Sequence, residues 1–213
     1  MLFLSQRPIS LRSNVVTIGL VVEGQADYGA VPLLLRRAGA TPGVPIVFRG
    51  QGVECPIPTL VQKRLLSPTR AQLVRGHSKV VVIIDREARS DCPGEFAQRV
   101  RGELVCQLEA QYGYQGSPPV SVVCADRTLE NWLIADPEGV GGHSYIGRSI
   151  TRRVGTNADG CDAISIIQGA YGRGRRYHKT RDAPALAARV RVERADVRQR
   201  SKSLDKLLRE AHV

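Results

Sequence analysis

Lys79-Val80-Val81-Val82-Ile83-Ile84-Asp85 is the clearest strand in the chain, and the fold is read outward from it. A similar run, Asn14-Val15-Val16-Thr17-Ile18-Gly19-Leu20-Val21-Val22-Glu23, precedes it, and Val120-Ser121-Val122-Val123-Cys124 follows. Near-continuous β-branched runs of this kind are expected of central parallel strands covered on both faces. A shorter strand is expected near Pro45-Ile46-Val47-Phe48. Between these runs lie segments of helical spacing. Val31, Leu34, Leu35 and Ala38 share one face over 27–39, with Gly39 as the stop. Helical segments cover 57–76, where Pro68 is expected to interrupt them. Phe96, Val100, Leu104 and Leu108 mark a helix over 94–111, and Thr128 caps another that begins at Leu129. Strand and helix in alternation predict an α/β protein with a mostly parallel central sheet flanked by helices.

From residue 137 the character changes. Pro137, Gly139, Gly141, Gly142, Gly147 and Gly155 mark a loop-rich stretch. Residues 171–213 then carry 13 Lys and Arg against 5 Asp and Glu, which is +8 of the chain's +11. Within them Ala183–Arg200 and Ser203–Ala211 read as helices, the second with Leu204, Leu207 and Leu208 as its buried stripe. The expectation is a core over 14–136 with a basic helical extension, 137–213, packed on it as a single domain.

A chain of 213 residues suits one domain with a sizeable core. At 42% hydrophobic and 24% charged residues it is not a disordered, collagenous or disulfide-scaffold sequence. A net charge of +11 favours polyanionic partners such as nucleic acid. The five cysteines are odd in number and hold no C-x-x-C pair, so they are read as reduced thiols in a cytoplasmic protein. No stretch approaches a membrane span, and Met1-Leu2-Phe3-Leu4-Ser5-Gln6-Arg7 lacks a cleavable signal pattern.

Strands of a parallel sheet all point one way, so the residues that end them gather along one edge. Glu23 ends the first strand, Asp85 and Glu87 the third, and Asp126 with Glu130 follows the fourth. Residues two apart on extended chain share a face, so Asp85 and Glu87 are expected to address one point. Any single acid here reads equally as a solvated turn or a cap. Three strands that each end in an acid, in an otherwise basic protein, suit a hard divalent ion held against a phosphodiester.

Val21-Val22-Glu23-Gly24-Gln25-Ala26-Asp27, Val82-Ile83-Ile84-Asp85-Arg86-Glu87 and Leu129-Glu130-Asn131-Trp132-Leu133-Ile134-Ala135-Asp136 together resemble the Toprim family. They look most like the small Toprim-like proteins of the DUF4276 group, and are similar to the related RloB and OLD nucleases. Tyr177-His178-Lys179-Thr180 and Ser201-Lys202-Ser203-Leu204 resemble that group's C-terminal pattern, so the likeness covers about 15–210. It implies a Toprim-like Rossmannoid fold that binds Mg2+ or Mn2+ and acts on phosphodiesters. Glu23 then matches the first-strand glutamate, a metal ligand or general acid/base. Asp85 and Glu87 match the ligand pair, and Glu130 matches a possible ligand of a second ion. The sequence departs from the pattern at Glu87, where Asp is usual, and at Ala26, where Thr or Ser is common. Relatives are often encoded beside an ABC-type or SMC-like ATPase in antiphage defence, so such a partner is implied as well.

The loop Tyr171-Gly172-Arg173-Gly174-Arg175-Arg176-Tyr177-His178-Lys179 carries Arg173, Arg175, Arg176 and Lys179, suited to track a phosphate backbone while Tyr171 or Tyr177 stacks on a base. A solvated loop is the ordinary alternative. Lys179 is favoured for catalysis, since a cation beside a metal site stabilises developing phosphate charge. Gly142-His143-Ser144-Tyr145-Ile146-Gly147-Arg148-Ser149 departs from a P-loop at Arg148 and follows no strand, so it reads as a connector. His77, His143, His178 and His212 show no paired ligand spacing. Trp132 reads as core, Asp27 as a helix-dipole partner and Asp136 as a helix terminus. Catalytic action by the acids as a metal-dependent nuclease competes with two alternatives, a degenerate nucleic-acid-binding or regulatory subunit and a basic partner that docks on an acidic ATPase surface.

Overall fold

The apolar runs pair in parallel. In the computed structural model, which describes residues 16–49, 55–147 and 149–211, the strands are β1 (Thr17–Val22), β2 (Thr41–Pro42), β3 (Ile46–Val47), β4 (Lys79–Asp85) and β5 (Val120–Ala125). Their order is β2-β1-β4-β5, with β3 continuing along β1 beyond β2. Pairing runs from Ile18↔Lys79 to Val21↔Val82 and from Val80↔Val120 to Asp85↔Ala125, all parallel. Asn14, Val15, the amino-terminal segment read for a signal, Arg148 and His212 lie outside the described residues.

Alternation along each strand divides the core into two layers. Ile18, Leu20, Val22, Val81, Ile83 and Val123 face one cluster. It is completed by helices α1 (Gln25–Arg37), α5 (Leu129–Ile134), α8 (Ala163–Ala170), α9 (Lys179–Ala187) and α11 (Lys202–Ala211). Val21, Val80, Val82, Ile84 and Val122 face the other, against α2 (Ile57–Leu60), a π-helical turn at Val61–Leu65, α3 (Leu66–Val74) and α4 (Pro93–Tyr112). The strands are apolar throughout because both faces are covered. No described helix is long and apolar enough to cross a membrane.

Several elements differ from the sequence expectation. Pro68 does not interrupt the segment over 57–76, because the π-helical turn precedes it: Leu66 N–H donates to Val61 O, one residue further back than in an α-helix. Such a bulge shifts the ladder where proline lacks a donor. The single helix expected over 183–200 is two, α9 and α10 (Ala195–Arg200), parted at a turn that Asp136 holds. Arg191 donates to Asp136 through its backbone N–H at 2.9 Å, its Nε at 2.7 Å and its Nη2 at 2.6 Å. The stretch after 137 is less loop-rich than expected, with α6 (Pro137–Gly141), α7 (Ile150–Arg153) and α8. The first of these is capped by Asp136 Oδ1, which accepts from Gly139 N–H at 2.9 Å, as its helix-terminus reading implied. Gly39 ends α1 at φ +85°, a conformation that favours glycine. Trp132 is buried, and its Nε1 donates to Ser203 Oγ at 2.8 Å.

Candidate active site at the carboxyl edge of the sheet

Four acids and one lysine meet where β1 and β4 end. Glu23 follows β1 directly, and its Oε2 accepts from the backbone N–H of Asp85 at 2.9 Å, tying the two strand ends together. Asp27, one turn into α1, sends Oδ2 back to Gly24 N–H at 2.9 Å. Glu130, in the first turn of α5, is fully buried, and its Oε1 accepts from the Tyr177 hydroxyl at 2.9 Å. Lys179 opens α9 and lies between: its Nζ is 3.5 Å from Glu130 Oε2 and 3.8 Å from Asp85 Oδ2. The loops leaving β4 and β5 carry Glu87 and Arg127, the described non-glycine residues at positive φ, +53° and +73°, joined by Glu87 N–H to Arg127 O at 2.8 Å. Backbone strain of this kind collects at functional sites.

The cluster carries more carboxylate than its one ammonium offsets. Burial raises the Asp85 carboxyl well above the usual range, with Asp27 adding to the effect. Burial also pushes Asp27 up to about 6 against the opposing pull of Lys179. Glu23 is raised by burial, opposed by the Asp85 N–H and reinforced by the charges of Glu87 and Asp27. For Lys179 burial disfavours the ammonium, yet Glu130, Asp85 and Asp27 outweigh it and raise its pKa. Burial and the Glu130 charge hold the Tyr177 phenol neutral. Asp27 Oδ1, in a residue only 3% exposed, has no hydrogen-bond partner. Among the described residues, no three His, Cys, Asp or Glu side chains stand in metal-holding geometry.

Of the acids read from the sequence, Glu23, Asp85 and Glu130 come together. Glu87 is exposed and stands beside them. The shared face expected for Asp85 and Glu87 fails because β4 ends at Asp85 and the left-handed turn at Glu87 breaks the alternation. Asp126 is engaged elsewhere, 2.5 Å from Arg86. Lys179 belongs to the acidic centre and is set apart from the exposed Arg173, Arg175 and Arg176. Tyr171 is buried, and its ring packs edge-on at 6.0 Å from that of the half-buried Tyr177, whose hydroxyl is taken up by Glu130. Asp27, read as a helix-dipole partner, and Tyr177, read as a stacking residue, are the members whose place in the cluster sequence reasoning missed. The signal for Asp27 was an acid four residues after a strand-ending acid, across a glycine that lets the chain turn back. A cavity of about 750 Å³ lies along β5 between α4 and α11, where none of the clustered acids reaches.

Fold and site together define a doubly covered parallel α/β protein with a lysine-bearing acidic centre at the carboxyl edge of its sheet. The chain belongs to the DUF4276 family, a domain of unknown function, whose model matches residues 22–210. No curated protein matches it. Among solved structures it is similar to the C-terminal region of the Burkholderia pseudomallei OLD protein, at 17% identity and a TM-score of 0.45, over 92% of this chain and 99% of that one. It is also similar to the C-terminal region of the Xanthomonas campestris pv. campestris OLD protein, at 18% identity and a TM-score of 0.42, over 92% and 95% of the two chains.

Proposed function

We propose that the protein is a metal-dependent nuclease of Toprim type that cleaves phosphodiester bonds in DNA or RNA. The observation that supports this most is the convergence of Glu23, Asp27, Asp85 and Glu130 on Lys179 at the edge where open α/β sheets place their sites. The donors suit Mg2+ or Mn2+ in chemistry and charge: hard carboxylate oxygens, more acids than cations, and Asp27 Oδ1 buried without a partner. Glu23, Asp27, Asp85 and Glu130 would hold the ion. Such an ion supplies a Lewis acid and a more acidic bound water. Lys179 faces the charge that develops on the phosphoryl oxygens. Tyr177 fixes Glu130, and the Asp85 N–H fixes Glu23. On this reading the protein serves bacterial antiphage defence in the cytoplasm, with an ABC- or SMC-like ATPase as its partner.

The test is cleavage of plasmid DNA and total cellular RNA with Mg2+ or Mn2+, against EDTA, for wild type, Glu23→Ala and Asp85→Ala. Metal-dependent products lost in both variants are expected, and cutting retained in both overturns the reading. One observation favours a second reading, a nucleic-acid-binding or regulatory subunit. Lys179 fills the cluster as its counter-charge, and no described ligand geometry accompanies it. That reading predicts tight nucleic-acid binding with no metal-dependent products.

A further inference from the structure

Tyr171, whose ring packs against that of Tyr177, also lines a cavity of about 490 Å³. Its walls include His143, Tyr145, Arg175, Arg176, His178 and Arg181. The Arg175 guanidinium lies 4.0 Å over the Tyr145 ring, and the His143 ring meets the same tyrosine edge-on at 5.2 Å, so this wall is set before any ligand arrives. The acid in the cavity, Asp182, is engaged: it accepts from Arg181 at 2.6 and 3.1 Å and from His178 N–H at 2.8 Å. Arg175, stacked on Tyr145, and Arg176 are exposed and form no ion pair among the described residues. The cavity therefore presents guanidinium groups whose charge nothing in its wall neutralises. Planar guanidinium forks and imidazoles match phosphate oxygens, and the volume admits a nucleotide unit as well as its phosphate.

We infer that this cavity is a phosphate site that grips a nucleic-acid strand next to the bond held at the acidic centre. The inference rests on the nuclease reading and adds to it where the strand is held. Tyr171 lines the cavity and packs on Tyr177, which holds Glu130, so one aromatic pair links the grip to the acids. The ligand chemistry is a phosphate diester or monoester; free phosphate shares it, and the test separates the two.

The experiment reads the anisotropy of a fluorescent single-stranded oligonucleotide with EDTA present, so that binding is scored without turnover. Wild type is compared with Arg175→Ala/Arg176→Ala and with Lys63→Ala, an exposed cation on the π-helical turn of the opposite layer. The double variant is expected to bind about tenfold more weakly and to lose roughly one to two units of salt slope, with Lys63→Ala unchanged. Inorganic phosphate at millimolar concentration is expected to compete only weakly, because a strand makes several contacts at once; equal potency of phosphate and oligonucleotide overturns a strand site. Equal losses in both variants reduce the effect to net charge and also overturn it. Normal binding by the double variant, alongside metal-dependent cutting by wild type, overturns the phosphate site and keeps the nuclease. Loss of binding in the double variant, with no cutting by wild type, keeps the site and overturns the nuclease.

Discussion

Glu130 is fully buried, and its charge is borne by two contacts, the Tyr177 hydroxyl on one oxygen and the Lys179 ammonium near the other. Removing the first leaves a buried acceptor without its donor and removing the second takes away its counter-charge, so each substitution has a definite cost. Tyr177→Phe is expected to lower stability by about 1–2 kcal/mol in urea denaturation, the usual cost of an unsatisfied buried acceptor. Lys179→Met keeps the aliphatic stem and removes the charge. A loss of about 1–2 kcal/mol at neutral pH is expected, below the full cost of a broken buried pair because 40% of the Lys179 side chain meets solvent. Unchanged midpoints in both variants would contradict the charge balance described. At this scale the strand-ending acids Glu23 and Asp85 were legible, since a parallel sheet forces strand ends to one edge. Glu87 was misplaced, because alternation holds only while the chain stays extended. Asp27 was read for its place in the first turn of α1, which holds through Gly24 N–H, and that local role hid its closeness to the other acids.

Two helices carry the site's geometry through their packing. In α1 a Cβ built on Gly29 stands 2.6 Å from Cγ of Pro184 in α9, so the two helices approach at the limit glycine allows. Gly29→Ala, favourable in an isolated helix, is therefore expected to destabilise the fold by about 1–3 kcal/mol and to shift α9, which bears Lys179. Thermal unfolding checks the first effect, and the cleavage assay the second. Helix α11 is anchored through Glu210, whose Oε2 accepts from Lys79 Nζ and from Ser121 Oγ, each at 2.6 Å. Burial opposes that carboxylate, yet hydrogen bonds from Lys206, Lys79 and Ser121 outweigh it and hold its pKa at about 2, against an ordinary 4.5. A depressed carboxyl stabilises the fold above its unfolded pKa and loses that contribution as pH falls from about 4.5 towards 2. Glu210→Gln is expected to cost about 1–2 kcal/mol at pH 7 after allowance for solvent screening, with most of that difference gone as pH approaches 2. A pH-independent difference would sink the assignment. The long strands and α4 were readable because period-two and period-3.6 patterns survive burial. Helices α8 and α9 were blurred because a side-chain cap, Asp162 to Ser165 N–H, and a proline within α9 set their bounds more than apolar spacing did.

Taken whole, the molecule sets a small acidic centre within a chain of net charge +11. On the proposed reading, its affinity for nucleic acid is expected to fall roughly a hundredfold or more between 50 and 200 mM salt, as counterions released from the backbone dictate. Filter binding or anisotropy across that range checks it, and a flat response would favour docking on a protein surface. The α/β class, the parallel sheet and the basic carboxyl-terminal third could be read from the sequence; how that third closes over the site could not, because its contacts join residues far apart in the chain. This long-range closure bears on biosynthesis. Glu23, Asp27, Asp85 and Glu130 all leave the ribosome before Lys179, the cation that balances them. Until α9 emerges, the growing chain holds acids that cannot be buried together while charged, and Ala183, Leu186 and Ala187 are missing from the layer over α1. The amino-terminal part is thus expected to stay open during translation, with the acidic centre forming once α9 has been made.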